Sequence, residues 1–390
     1  MYTTKPLAIV KNSPHAVPPL AGPNSGYLLL RDEEAEPNPT CCWGLCEDRR
    51  VRELPFPQNR ILTITYTQAN GQSTTTYEAP ALFVPVLDKP LSSNHYYVIV
   101  AKGSKKGKAT ASSKEEDMIN CCFCRCINDV NPRDFDPDDF HQQFEIIPKR
   151  GRFTAKSVLP DGFAPWLLRQ HWKLYASAPK DECQLTEASG LDKAARSQVP
   201  PLMELPISRA VDSSLMVGKW YTSCVFVKDG ALDLKDQMKR SAFYEIALEQ
   251  RWEEVYACDN LYGDRREVEV KASVEAEAAV IDEKHAVRQP ARQEDGGVVW
   301  FKAAEGEGKV GLSWAVLERM RWEESRGGWA SGEEMVERVE ECGGGGGEKS
   351  RWTRFGCYVL VERFKVKRMD GSLILAIDFK HTRTIQTKWE

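Results

Sequence analysis

From Phe243 to Tyr256 the chain reads FYEIALEQRWEEVY, and apolar and charged positions alternate. Tyr244, Ile246, Leu248, Trp252 and Tyr256 fall on one face; Glu245, Glu249, Arg251 and Glu253 fall on the other. Successive side chains of a strand point to opposite faces, so this period of two predicts a half-buried strand. REVEVKASVEAEAAV repeats the pattern through Val268, Val270, Ala272, Val274 and Ala276. KVGLSWAVLERMRWEE continues it through Val310, Leu312, Trp314, Val316, Met320 and Trp322. We read all three as long antiparallel strands, in keeping with the preference of valine and tryptophan for sheet. Near the C-terminus, two apolar runs flank Asp370-Gly371, which predicts a hairpin with a two-residue loop. Residues 206–390 are therefore expected to form an antiparallel β domain: a meander, a sandwich or an open barrel.

The first half has shorter apolar runs and more proline. GYLLL, RILTITYTQ, TTTYEAPALFVPVL, HYYVIVAKG and QQFEIIPK each predict a strand, and Asn70-Gly71 a turn. Pro80 and Pro85 place their strand at an edge or a bend, because proline cannot donate to a ladder. SSKEEDMIN carries Ser113 at an N-cap with Glu116 three residues on, a capping box that predicts a helix from Lys114 into the cysteines that follow. QVPPLMELPIS (Gln198 to Ser208) reads as a linker. The expected class is α+β, mainly β: 1–205 with mixed short strands and one or two helices, then the antiparallel domain. ECGGGGGEKS gives the second unit a flexible loop over 340–350, since no helix follows the glycines to cradle a phosphate.

Charge narrows the function. The 53 Lys and Arg nearly balance the 57 Asp and Glu, leaving a formal charge of −4. Such a chain has no field to gather nucleic acid. KGSKKGK (Lys102 to Lys108) and DEEAE (Asp32 to Glu36) read as solvated loops. No run of about 18 apolar residues is present to span a bilayer, and the first 20 residues lack a signal-peptide core. A cytoplasmic protein is expected, with the nucleus as the alternative.

Candidate chemistry is sparse. GLSWA, around Ser313, is close to a nucleophile elbow, but the strand reading leaves no sharp strand-to-helix turn there. The six histidines share no ligand spacing. NDVNPRDFDPDDF gathers Asp129, Asp134, Asp136, Asp138 and Asp139 but lacks the glycine of a calcium loop, and reads as capping aspartates. Two cysteine clusters remain, CCWGLC and CCFCRC. Cys42 with Cys46 and Cys121 with Cys124 have spacings that four-sulfur zinc sites use. In a reducing compartment, and with Met118, Cys121, Cys122 and Arg125 along one side of the expected helix, burial as small apolar side chains is the other reading. No cofactor is expected on the first account of the cysteines and structural zinc on the second.

Several short motifs share a further property. GPNSGY (Gly22 to Tyr27), LPFPQN (Leu54 to Asn59), PLSSNHYYVI (Pro90 to Ile99), SKEEDM (Ser113 to Met118), CCFC (Cys121 to Cys124), GKWY (Gly218 to Tyr221), MDGSL (Met369 to Leu373) and the terminal KWE resemble a plant family named domain of unknown function 1262. Some of its members carry an insecticidal crystal toxin-like label. The resemblance implies a plant protein and a defence or stress setting, and no activity. The expectation from sequence is a non-catalytic protein that binds an unidentified protein or small molecule. A zinc-stabilised domain and a membrane-active defence protein are the alternatives.

Overall fold

In the computed structural model of the chain the described residues are 1–41, 46–121, 124–178, 183–202, 214–261, 266–289, 297–342 and 352–390. The expected class is what they form, with few helices and two large sheets. In the first sheet the strands run in the order Arg152–Ser157, Gln143–Lys149, His95–Val100, Ser73–Pro85, Leu62–Asn70, Lys173–Ala176, Arg50–Val51, every pair antiparallel. A bridge between Phe153 and Trp172 links the two sides of this order, so the sheet curls around Phe56, Phe83, Tyr96, Phe153 and Trp172. Asn70 pairs with Ser73 across the predicted turn, where Gly71 takes a φ of 63°. The proline-bearing strand is interior rather than an edge. Its second neighbour begins to pair only at Ala81, past Pro80.

That strand alternates with both faces buried. Ala81 and Phe83 enter the aromatic core, while Leu82 and Val84 join the core of the second sheet. Tyr96 and Val98 against Tyr97 and Ile99 repeat the division one strand along. The two sheets thus share a wall.

The second sheet has twelve strands. Those that matter below are β1 (Tyr2–Pro6), β2 (Gly26–Leu30), β3 (Leu215–Ser223), β4 (Phe243–Asp259), β5 (Arg354–Arg368) and β6 (Leu373–Trp389). They lie in the order β6-β5-β4-β3-β1-β2, antiparallel except for β1 with β2. The first 30 residues therefore complete the sheet built by the C-terminal half. A separate ribbon of Glu267–Glu275 with Glu333–Glu341 covers the outer end of β4 and β5 through Val268, Val270, Val274 and Val336.

Three expectations change. Residues 310–322 are not one strand: Lys309–Ser313 is a strand, and a helix, α2 (Trp314–Arg326), follows one named here α1 (Lys193–Gln198). Beyond Ser313 the sequence is rich in good helix formers such as Ala, Leu, Glu, Arg and Met, and Val316, Leu317 and Met320 are the apolar residues it buries. Trp314, expected inside, is 41% exposed and lies under the guanidinium groups of Arg288 and Arg321. The helix expected from Lys114 is a single 3-10 turn, Glu115–Asp117, leading into a hairpin of Met118–Cys121 and Cys124–Ile127. Asp117 rather than Glu116 accepts the Lys114 amide, and the Ser113 hydroxyl is spent on the Asn128 carbonyl. β-branched Ile119 and Ile127 and the four cysteines offer little helix propensity to extend the turn. The Asp-Gly turn is longer than two residues: Arg368 and Ser372 bond across Met369, Asp370 and Gly371, and only Gly371 takes a positive φ.

The described part of the linker is packed. Leu202 is buried against Trp252, whose indole N–H donates to the Pro200 carbonyl at 2.8 Å. The glycines Gly343 to Gly347 lie outside the described residues.

Truncating Met320 to alanine should cost about 2–5 kcal/mol in a denaturant titration, as for other buried side chains. Trp314→Ala should cost about 1 kcal/mol or less, the scale of an exposed cation–π contact. The reverse order of losses is what a strand through Trp314 would give.

Candidate functional site

Three long strands each place a polar residue where the alternation calls for an apolar one. On β4, Gln250 lies between Leu248 and Trp252; on β5, Glu362 lies between Leu360 and Phe364; on β6, His381 follows Ile377 and Phe379. The register makes them neighbours, with Gln250 opposite Glu362 and Leu360 opposite His381. Helix α2 does the same at its end. Its stripe of Val316, Leu317 and Met320 continues into Glu323 and Glu324, both buried. Glu324, Glu362 and His381 come together on the inner face of the sheet, and Arg196 reaches them from α1, whose N-terminus Asp192 caps.

Arg196 binds Glu362 with two donors. Its Nε lies 2.9 Å from Oε1 and its Nη2 donates to Oε2. Nη1 donates to the Glu323 carbonyl in the last turn of α2, where carbonyls lack partners within the helix. The Gln250 amide donates to Glu362 Oε1 at 2.7 Å and to the Arg196 carbonyl at 3.0 Å. His381 Nε2 is 2.8 Å from Glu324 Oε2 and 3.5 Å from Glu362 Oε2. A second pair, Arg319 with Glu323, lies beside the first, and Arg319 also reaches the Ser25 hydroxyl.

Burial opposes every charge here, and partners decide which survive. For His381 burial alone would favour the neutral ring, but the bonds to Glu324 and Glu362 prevail and raise its pKa to about 9. Burial likewise works against Glu362 as an anion; His381, Glu324 and Arg196 outweigh it and hold its pKa far below the usual range. Glu324 has no direct exposure, and burial pushes it upward despite the His381 bond. Its Oε1 and the Oε1 of Gln250 have no hydrogen-bond partner.

The carboxylate and imidazole atoms of Glu324, Glu362 and His381 all lie within 4.8 Å of one another, close enough to hold a cation. The surrounding donors fit such an ion poorly. Arg196 covers both oxygens of Glu362, and a protonated His381 offers an N–H instead of a lone pair. The arrangement is an ion-pair network.

The network forms part of the floor of a cleft of about 660 Å³. Lys5 of β1, Pro18 to Ala21, and Tyr27 of β2 form one side; α1 contributes Lys193, Arg196 and Ser197; α2 contributes Trp322 and Arg326; Trp220 and Leu360 complete the apolar surface. The Trp322 ring sits between the Gly22 backbone and the guanidiniums of Arg319 and Arg326, 4.8 and 4.7 Å from its centre. A Cβ on Gly22 would fall 2.4 Å from that ring, so the chain can approach there only as glycine.

The residues singled out from sequence lie elsewhere. Cys42 and Cys122 are outside the described residues, as are the side chains of Cys46, Cys121 and Cys124, which leaves the zinc grouping outside them too. Cys126 is half-buried, and Ile119 on the same hairpin is 49% exposed. The aspartates act as caps and ion-pair partners: Asp129 accepts from the Trp166 amide and Arg169, Asp139 from the His141 amide and Arg133. Ser313 does sit at a strand-to-helix junction, contrary to expectation, but its φ is an unstrained −56° and its buried hydroxyl has no partner. It lacks the base and the strained turn that make a nucleophile. His381 shares no spacing with the other histidines. The signal that marks it, with Gln250, Glu362 and Glu324, is a polar residue in the buried phase of an apolar repeat.

Residues 21–123 match the family model described as "Protein of unknown function (DUF1262)". That stretch holds four of the motifs quoted above in full and contributes Ala21, Ser25, Gly26 and Tyr27 to the cleft. No curated protein sequence matches the chain. Among solved structures it is similar to the "Crystal structure of Cry35Ab1", with a TM-score of 0.44 and 12% identity over 86% of this chain and 90% of that one. A likeness at that level decides nothing about function. Among the described residues no helix is long and apolar enough to cross a membrane.

A group whose pKa is raised on folding stabilises fully below its unfolded pKa and loses that contribution as pH climbs through the folded value. For His381 the window runs from 6.5 to about 9. Against a His381→Gln variant, the wild type should lose on the order of 3 kcal/mol of unfolding free energy across that window. Urea titrations at several pH values read this directly; parallel pH profiles for the two proteins would mean His381 is not charged in the fold.

Proposed function

We propose that the protein binds a small molecule in this cleft without transforming it. The observation that carries the reading is the cleft itself: about 660 Å³, apolar walls with aromatic rings, and a floor of convergent polar groups. Small-molecule sites have this build, with a few placed polar groups fixing orientation in a mainly apolar surround. The polar residues of the floor depart from the buried pattern of four separate elements, and a buried ion pair is seldom the most stable filling for such a position. A binding role accounts for both facts together. The floor supports binding over chemistry, because its titratable side chains are committed to one another. Glu362 is held by Arg196 and Gln250, and His381 by Glu324. A general base needs a free lone pair within reach of the proton it takes, and the unpartnered Glu324 Oε1 is fully buried and does not line the cleft.

Saturation-transfer NMR with a mixture of small aromatic and aliphatic acids, amines and neutral compounds tests the reading. Ser197 lines the cleft, is exposed, and its hydroxyl donates to the Ala194 carbonyl three positions back. Ser197→Trp should fill the space and leave the melting temperature close to wild type. Bound compounds should be recovered unchanged, and their signals should vanish with Ser197→Trp. Signals indifferent to that substitution would place the ligands elsewhere, and conversion of a compound would make the protein an enzyme.

A further inference from the structure

The charges of the cleft are not matched one to one. On the floor Arg196 answers Glu362, His381 answers Glu324, and Arg319 answers Glu323. At the rim, Lys5, Lys193 and Arg326 also line the cleft, and among the described residues none of them has a carboxylate within ion-pairing distance. The lining carboxylates are Glu323 and Glu362, both already engaged. The three floor pairs cancel, and the three rim cations, Lys5, Lys193 and Arg326, are left in excess.

Position adds to the count. Lys5 comes from β1, Lys193 from the first turn of α1, and Arg326 from the last turn of α2, so the three rim cations approach from three elements. Arg326 is held over the Trp322 ring, 4.7 Å from its centre, and this orients its fork at little entropic cost. Beneath the rim lie Trp322, Trp220, Tyr27, Leu20 and Leu360. A ligand matched to this surface has an apolar or aromatic body and an anionic group at one end.

We infer that the cleft selects an organic anion, a carboxylate, sulfonate or phosphate ester on an apolar body, through Lys5, Lys193 and Arg326. The inference rests on the cleft being the binding site. Desolvation in a concave, partly apolar surround strengthens a charge-assisted hydrogen bond relative to one in open water.

Two probes with the same ring system separate charge from shape: 8-anilinonaphthalene-1-sulfonate, and its uncharged parent N-phenyl-1-naphthylamine. Fluorescence titration of the wild type should give the sulfonate an affinity at least about tenfold higher, the scale of one charge-assisted bond. The double variant Lys5→Gln/Lys193→Gln removes both charges while keeping polar side chains, and should erase most of that preference while weakening the neutral probe far less. Arg326→Lys should keep part of it, and Arg326→Gln should lose more. Ser197→Trp should abolish binding of both probes. If both bind equally, are blocked by Ser197→Trp, and ignore the charge substitutions, selection of an anion is overturned and the binding cleft stands. If Ser197→Trp blocks neither, the cleft reading fails and this inference falls with it.

Discussion

Arg196 ties together parts of the chain that are far apart in sequence. Its guanidinium joins Glu362 on β5 to the last turn of α2, and its carbonyl receives the Gln250 amide from β4. Removing one member of a buried ionic set strands the others without solvent, a loss of about 3–5 kcal/mol in comparable cases. Replacing the whole set with apolar residues commonly costs nothing. Stability alone therefore does not explain why four elements give up an apolar position at the same place. On this face of the sheet the set divides Ile246, Leu248, Phe364 and Val366 from the smaller cluster of Trp252, Tyr358 and Leu360. Apolar substitutes would fuse those clusters and close the floor of the cleft.

The N-terminal segment completes that floor's enclosure. β1 pairs with β3 by Tyr2 and Tyr221, and β2 follows in parallel. The connection between them brings Asn24 to Glu318 and Ser25 to Arg319, both on α2. Gly26 lets the Tyr2 ring lie against the backbone, where a Cβ would fall 2.4 Å from it. The cleft exists because a segment early in the sequence is seated on a helix three hundred residues later, so its two sides cannot be assigned to separate halves of the chain. The first sheet, with its own aromatic core, supports this seat from the side through Leu82, Val84, Tyr97 and Ile99.

Most strands were legible because period two persists over many residues. The misreadings have local causes. In 309–326 the strand and helix periods overlap: Val310, Leu312, Trp314 and Val316 fit one, while Val316, Leu317 and Met320 fit the other, and the nearby glycine, Gly311, sits inside the strand and does not mark the change at Ser313. At Ser113 the capping residues were present, but a 3-10 turn uses the same acidic residues as an α-helix start, and the hairpin that follows is set by tertiary pairing. The cleft was hidden for another reason. Motif reading looks for reactive types at fixed spacing, whereas Arg196, Glu324, Glu362 and His381 are brought together by register and docking. Glu324, Glu362 and His381 were nonetheless visible alone as polar residues out of phase, Arg196 was not, and Gln250 in IALEQRW is the plainest case.

The overall charge of −4 conceals how charge is distributed. On the outer face of the long strands it is matched locally: Lys365 with Glu249, Lys380 with Glu253, and Arg363 and Arg251 with Asp378. Those pairs follow from antiparallel register, which sets opposite charges across from or diagonal to each other. The cleft rim breaks that habit, since its cations come from β1, α1 and α2 instead of one ladder. A net charge averages the matched face with the unmatched rim and so says nothing of the potential inside a concavity, where low-dielectric walls focus the field. The bulk acidity that argues against a polyanion spread over the surface is therefore compatible with a small anion held within a single cleft.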